Sequence, residues 1–373
     1  MNDNRRTYTS RWHRSWLGKA SAAMILGCMA ASIAAAQPEL TLVHTATAGA
    51  LSQVSVANLK NNWVVTAVRN GSGNLEDIVW HETSTALVRT SSKTAGAASA
   101  VAVAALNSSH VVTAVINGSG LLELIAWSVN SSGTIAREGD IIDVPVTAVD
   151  IVGLDSSRMA TVARDSNSYV NVSSWAVDGS GNITQEFTTT VTSAGTKAAI
   201  AKLSSTQFVT AGIRSGGDLQ LFSWSVNSTG QIFSQQVATA GVVSQVDITP
   251  WPSTGEVATV VRDSAGKIQV TPWIVDSSGG FTALPAATAG KASNVAATTI
   301  GTQIFTASED GSGKLAAGVW GNATTFVQLV SRESDAATAV AAAPLTTGPY
   351  SVTATRNSAG DLEVDVWYYF VIG

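Results

Sequence analysis

Seven times along the chain a threonine stands fourteen residues before a tryptophan. The pairs are Thr66/Trp80, Thr113/Trp127, Thr161/Trp175, Thr210/Trp224, Thr259/Trp273, Thr306/Trp320 and Thr353/Trp367. A glycine-centred polar turn lies between the two residues of each pair, most clearly in 111–129, VVTAVINGSGLLELIAWSV. Successive tryptophans are 47, 48, 49, 49, 47 and 47 residues apart. Self-similarity at such a period restricts the chain to a repeat architecture, in which each unit buries its apolar faces against its neighbours. The repeats fill residues 37–373, so one domain accounts for them all.

Each unit reads as four short strands. The first is small and apolar, as in Ser52–Leu59, Ser99–Leu106, Lys197–Leu203, Ser244–Ile248, Ser293–Ile300 and Ala336–Leu345. The second carries the Thr and the third the Trp, in runs of Val, Ile, Thr and aromatic residues that favour strands. The fourth follows a second polar turn such as 177–181, VDGSG. Helix-period runs and helix caps are missing from 37–373, which makes the chain all-β.

Four antiparallel strands repeated at this period resemble the blades of a β-propeller. The resemblance implies seven blades with the small first strands innermost, where side chains crowd around a central channel. After Trp367 only six residues remain, too few for a fourth strand, whereas a spare strand, Glu39–Thr47, precedes the first unit. That segment is expected to close the ring as the outer strand of the last blade, leaving no open edge. The resemblance stops at architecture. There is no Gly-His…Trp-Asp pairing of WD40 blades and no double-glycine kelch signature, and the turns at Asp178 and Asp276 match the sialidase Asp-box poorly.

Residues 1–36 read as a secretion signal. Arg5, Arg6, Arg11, Arg14 and Lys19 form a basic region, an Ala-rich apolar run follows, and Ala34-Ala35-Ala36 fits a cleavage site. Arg5-Arg6 also allows a twin-arginine signal, and Ile25-Leu26-Gly27-Cys28 a bacterial lipoprotein box that would tether the chain to a surface through Cys28. With plain secretion, the single cysteine leaves with the signal, and no disulfide or thiolate chemistry remains. The formal net charge then moves from −5 to −9, because five cations and one carboxylate are removed. An acidic surface excludes nucleic acid and anionic membrane as preferred partners.

The seven tryptophans sit in mid-strand, whereas a solvent-facing sugar platform belongs in a loop. They are expected to fill the wedges between blades, with a hydrogen-bond partner for each indole N–H. The threonines are expected to be satisfied inside the blade. The turn between second and third strands is the candidate ligand site. Arg69-Asn70, Arg164-Asp165, Arg262-Asp263 and Arg356-Asn357 occupy matched positions there and suit the hydroxyls or carboxylates of a glycan. The competing reading is structural. With a four-residue loop, Arg69 faces Glu76 across the hairpin, Arg356 faces Glu363, Arg164 faces Asn171 and Arg262 faces Gln269. Calcium fits poorly, since each turn offers one carboxylate at most.

Catalytic signals are weak. His44, His81 and His110 occupy unmatched repeat positions, and no Gly-x-Ser-x-Gly elbow is present. No cofactor or metal is expected. The reading is therefore an exported binding or scaffold module, lectin-like and multivalent, with a glycan or an extracellular protein as partner. The alternative is a glycosidase or lyase whose carboxylates meet at one channel mouth.

Overall fold

The computed structural model describes residues 37–191, 195–251, 255–321, 326–346 and 348–372, and the segment read as an export signal lies outside them. Among the described residues there are 24 strands and no helix. Pairing is antiparallel throughout and divides these strands into seven sheets. The second and third strands of each sheet, such as Trp63–Asn70 and Asn74–Glu82, are buried on both faces. That explains their near-continuous apolar runs, since only a strand covered on one side needs to alternate.

Several strands serve two sheets. Gln37–Asn58 pairs through 37–50 with Asp361–Ile372 and through 51–58 with Trp63–Asn70. Leu87–Ala105 and Ile135–Gly153 do the same between consecutive sheets. Hydrogen bonding therefore runs unbroken through a series of 13 strands and another of 11. The register shifts at each changeover, as between Thr47 and Ala50 and again between Leu51 and Gln53, which lets one strand leave an outer edge and enter the next sheet. The N-terminal strand thus lies against the C-terminal one, with Glu39 opposite Phe370 and Thr47 opposite Glu363.

The core is partitioned in the same way. Among the described residues, seven apolar clusters each hold one of the repeat tryptophans and each straddle two sheets. Trp127 packs with Ala57, Leu59 and Val65 of the first sheet. Trp175 packs with Val112 and Leu124 of the second, Trp224 with Ala160 and Val172 of the third, and Trp273 with Val209 and Leu221 of the fourth. Trp320 meets Val260 and Val270 of the fifth, and Trp367 meets Phe305 and Val319 of the sixth. Trp80 completes the series against Val352, Val364 and Val366 of the last sheet. The inner strands of all the sheets line one cavity of about 710 Å³. This arrangement is all-β, antiparallel and β-propeller-like.

The hairpin between second and third strands has an odd-length loop. Gly73 donates its N–H to the Asn70 carbonyl at 2.8 Å and adopts φ of 80°, the left-handed conformation glycine tolerates best. A type I turn followed by a left-handed residue makes a three-residue hairpin. Arg69 consequently faces Leu75, Arg164 faces Val170, Arg262 faces Ile268 and Arg356 faces Leu362. The expected pairing of these arginines with Glu76, Asn171, Gln269 and Glu363 is corrected by one residue, because one loop residue fewer moves every partner along.

Candidate functional site on the turn-bearing face

The repeat tryptophans are closed to ligands. Trp80, Trp127, Trp175, Trp224, Trp273, Trp320 and Trp367 are each no more than 5% exposed. Every indole N–H donates to the hydroxyl of the threonine fourteen residues earlier, at 2.8 to 3.0 Å. The acceptors are Thr66, Thr113, Thr161, Thr210, Thr259, Thr306 and Thr353 in that order. The register explains the spacing. Thr66 lies opposite Ile78, so Trp80 is its diagonal neighbour on the same face. A recurring Trp is the residue a sugar platform would use, but Trp175, Trp224, Trp273 and Trp320 have their rings inside the wedges and their one polar atom engaged, as the other three do. These fourteen residues are therefore not site residues. They form the interior of the sheets and present nothing to a ligand.

The Asn and Asp residues of the turn are engaged locally. Asn70 Oδ1 accepts the N–H groups of Ser72 and Asn74, each at 3.1 Å. Asp165, Asp263 and Asn357 hold the corresponding pairs of amides at 2.8 to 3.0 Å. Asn117 and Asp310 do the same in two further sheets. These are side-chain mimics of a backbone turn, and they rigidify each hairpin tip.

The arginines reach across to the following sheet. Arg69 Nε donates to the Ala98 carbonyl at 2.6 Å, Arg262 Nε to that of Ala292 at 2.6 Å and Arg356 Nε to that of Leu51 at 2.7 Å. A second nitrogen of each binds a hydroxyl of its own sheet, Ser52, Ser244 and Thr338 respectively. The same carbonyl-bearing residues give their N–H to the turn glycines, Ala98 to Gly73 and Leu51 to Gly360. The next strand is therefore gripped through both polar groups of one residue. Arg164 departs from the pattern. Ser168, at φ of 71°, stands where the other turns have glycine and takes an Arg164 nitrogen at 2.5 Å, and the buried Arg164 Nε has no partner among the described residues. The structure thus brings each Arg together with its Asn or Asp, but commits most of their polar atoms to the fold.

The channel holds a different set of polar groups. Its wall is mostly Ala and Val, and no aromatic side chain lines it among the described residues. Asp150 accepts the N–H of Ile151 at 2.9 Å and that of Ile200, on the next inner strand, at 3.0 Å. Asp247 repeats this with Ile248 at 2.8 Å and Ala297 at 2.7 Å. Desolvation by the wall raises Asp150 to about 7, helped by the nearby Asp247 charge, and raises Asp247 to about 6. Lys197, which bonds Gln245, is pushed down by desolvation against the opposing pull of Asp247. Sequence reasoning passed over both aspartates. Their signal was the tripeptide Val-Asp-Ile, present at 149–151 and again at 246–248 in strands otherwise made of small apolar residues.

Two further carboxyls are buried. Asp77 accepts the Thr113 hydroxyl at 3.0 Å, and that hydroxyl accepts the Trp127 indole N–H, making a relay between the first and second sheets. Burial lifts Asp77 to about 8. Asp365 takes the Thr45 hydroxyl at 2.6 Å, while burial lifts it to about 7 and its Oδ2 has no partner among the described residues. Of the histidines, His44 bonds Glu82 at 2.8 Å, His81 stacks on Trp63 with centroids 4.1 Å apart, and His110 lies 3.6 Å from Glu138. Among the described residues no three His, Cys, Asp or Glu side chains are placed to hold a metal.

No family model and no curated protein matches this chain. Solved structures do. A protein from Lactobacillus plantarum aligns with TM-score 0.57 at 11% identity, covering 77% of this chain and 86% of its own. A chain of a mitotic checkpoint complex aligns with TM-score 0.58 at 13% identity, covering 87% of this chain and 93% of its own. At such identities the likeness concerns fold alone. The class the fold defines is a β-propeller-like repeat protein.

Proposed function

We propose that the mature chain is an exported seven-bladed β-propeller that works as a non-catalytic binding scaffold for a glycan or an extracellular protein. The N-terminal strand closes its ring. Support for closure comes from the pairing of 37–50 with Asp361–Ile372, from the Leu51 N–H to Gly360 carbonyl bond of 3.0 Å, and from the Trp80 cluster shared by first and last sheets. Support for export is the basic, apolar and Ala-Ala-Ala pattern of 1–36. Among the described residues no helix is long and apolar enough to cross a membrane.

The observation that carries the binding reading is the use made of the polar groups. Each oxygen of Asp150 and of Asp247 takes one backbone amide, which ties both carboxyls to the channel wall, and among the described residues no aromatic side chain lines the channel beside them to hold a substrate. The hairpin tips are held by their own Asn or Asp side chains, and pre-organised surfaces bind with less ordering cost. The test is a glycan array combined with calorimetry on the mature protein, with product analysis of the bound glycan. Saturable binding without conversion is the expected result. Hydrolysis or elimination of the glycan would establish the enzyme alternative, and absence of saturable binding would remove the carbohydrate form of the proposal. Mass spectrometry of the exported chain, with Gln37 as the expected first residue, tests the signal against a lipid on Cys28.

A further inference from the structure

One inter-sheet space differs from the rest. On the face that the sixth sheet turns to the fifth, two positions follow the Thr and Trp pattern in every repeat. The first is Glu76, Glu123, Asn171, Gln220, Gln269 and Glu363 in the other sheets, and Ala316 in the sixth. The second is Ile78, Ile125, Ser173, Phe222, Thr271 and Asp365, and Gly318 in the sixth. Losing two side chains on one face leaves a cavity of about 260 Å³ between the two sheets. A second space of about 330 Å³ adjoins it, sharing Lys291, Asp310 and Gly311, and leads out past Arg262 and Glu309.

The walls are furnished for hydrogen bonding. Gln328 is half-buried, and its amide lies over Gly318, where an added Cβ would stand 2.7 Å from Nε2. Gln328, Ser331 and Lys291 line the space, and their side chains have no hydrogen-bond partner among the described residues. Asp310 uses one oxygen for its turn and keeps the other. Ile268, Ala289 and Ala316 supply an apolar floor. Lys291 stands with Asp310, and Lys314 lies 3.8 Å from Glu333, so neither sign of charge prevails. An amide, hydroxyls and balanced charges over an apolar floor fit a neutral ring that carries hydroxyl groups on its rim and C–H groups on its face.

We infer that the cleft between the fifth and sixth sheets binds one neutral sugar residue, with the adjoining space taking the next unit of a glycan. The inference rests on the binding-scaffold reading and gives that scaffold one site in place of several equivalent ones.

The test uses the mature protein and D-glucose, D-galactose, D-mannose and N-acetyl-D-glucosamine as probes, followed by saturation-transfer NMR and calorimetry. At least one probe is expected to bind with a Kd on the order of 1 mM and a stoichiometry near one. Ala316→Gln puts into the cleft the side chain that Gln220 and Gln269 already supply elsewhere, so the fold is expected to survive; circular dichroism and the thermal midpoint verify that. It should weaken binding about tenfold or more. Gln328→Ala should weaken it several-fold without filling the space. If none of the sugars binds wild type, or if Ala316→Gln binds as wild type does, the cleft is not the site. Glycan-array binding that survives Ala316→Gln would overturn the cleft and leave the scaffold standing, whereas loss of both readouts in wild type would overturn both.

Discussion

The inside of each sheet and the end of each sheet obey different rules. Inside, the Trp–Thr bond recurs in all seven sheets within 0.2 Å. At the turn-bearing end, the fasteners alternate. Arginine occupies the turn in the first, third, fifth and seventh sheets, where the second, fourth and sixth have Ile116, Ile213 and Glu309. The inner-strand staple follows suit. Ser55, Asp150 and Asp247 reach the next sheet's amides from the first, third and fifth, at positions where the even sheets have Ala102, Ala199 and Ala296. A contact within one unit must be satisfied by that unit alone. A contact between units can do without these two groups, since the second, fourth and sixth sheets send neither to the sheet that follows. Seven is odd, so two arginine sheets meet where the chain ends join, and there Arg356 holds Leu51 while Ala341 offers no staple.

Breaking the invariant half should cost most. Trp127→Ala removes a buried indole from the wedge between the first and second sheets and is expected to cost about 3–5 kcal/mol, read as a shift of the urea midpoint. Thr113→Val keeps the shape but leaves the indole N–H and Asp77 without the hydroxyl between them, with an expected loss of about 1–3 kcal/mol. A loss for Thr113→Val no larger than for a surface control would mean that packing alone fixes the Trp.

Asp77 gives the same relay a pH signature. Its folded value of about 8 lies above its ordinary value of 3.8, so the folded state holds the proton more tightly. The stability this confers is complete below the ordinary value and is lost as pH rises through the folded one. Asp150 and Asp365, both near 7, act in the same direction. The thermal midpoint should therefore fall between about pH 4 and pH 8 and level off above that, and Asp77→Asn should flatten that fall without abolishing it. A variant with the wild-type slope would show that Asp77 does not titrate there.

Much of this was legible before any coordinates. The strand runs, the fourteen-residue spacing and a spare N-terminal strand follow from β-favouring residue types and from the polar turns that separate the runs. Register at the hairpin did not follow, because the conformation of Gly73 decides whether the loop is odd or even, and a Gly-rich turn permits both. Nor did the destination of Arg69, whose carbonyl partner at Ala98 is 29 residues away and carries no side-chain signal. The cleft of the sixth sheet was written in the chain as Ala316 and Gly318. Small residues read as unremarkable until the positions they share with Glu, Gln, Ile and Phe elsewhere are aligned by pairing rather than by composition.

Altering the staples should cost less. Asp150→Ala leaves the Ile200 amide at the channel wall without its partner, with an expected loss of about 1 kcal/mol. Ala199 shows that a sheet can do without this group, so a much larger loss would mean the alternation is a requirement of the fold.

The smallest effect tests the comparison most closely. Arg69→Ile gives the first sheet the turn residue of the second. The bond from Arg69 to the Ala98 carbonyl disappears, but the Ala98 N–H still reaches Gly73 at 2.9 Å, and isoleucine fills the place as Ile116 does. The guanidinium is half-exposed, so a loss of about 0.5–1 kcal/mol is expected, read in urea. The reverse change, Ile116→Arg, places a charge in a buried cluster and should cost more. The pair also separates the two roles open to the turn arginines. If they only fasten sheets, Arg69→Ile leaves glycan binding unchanged at every stoichiometry. If Arg69, Arg164, Arg262 and Arg356 with their Asn or Asp neighbours are repeated ligand sites, the same variant lowers the number of sites bound by one while the fold persists.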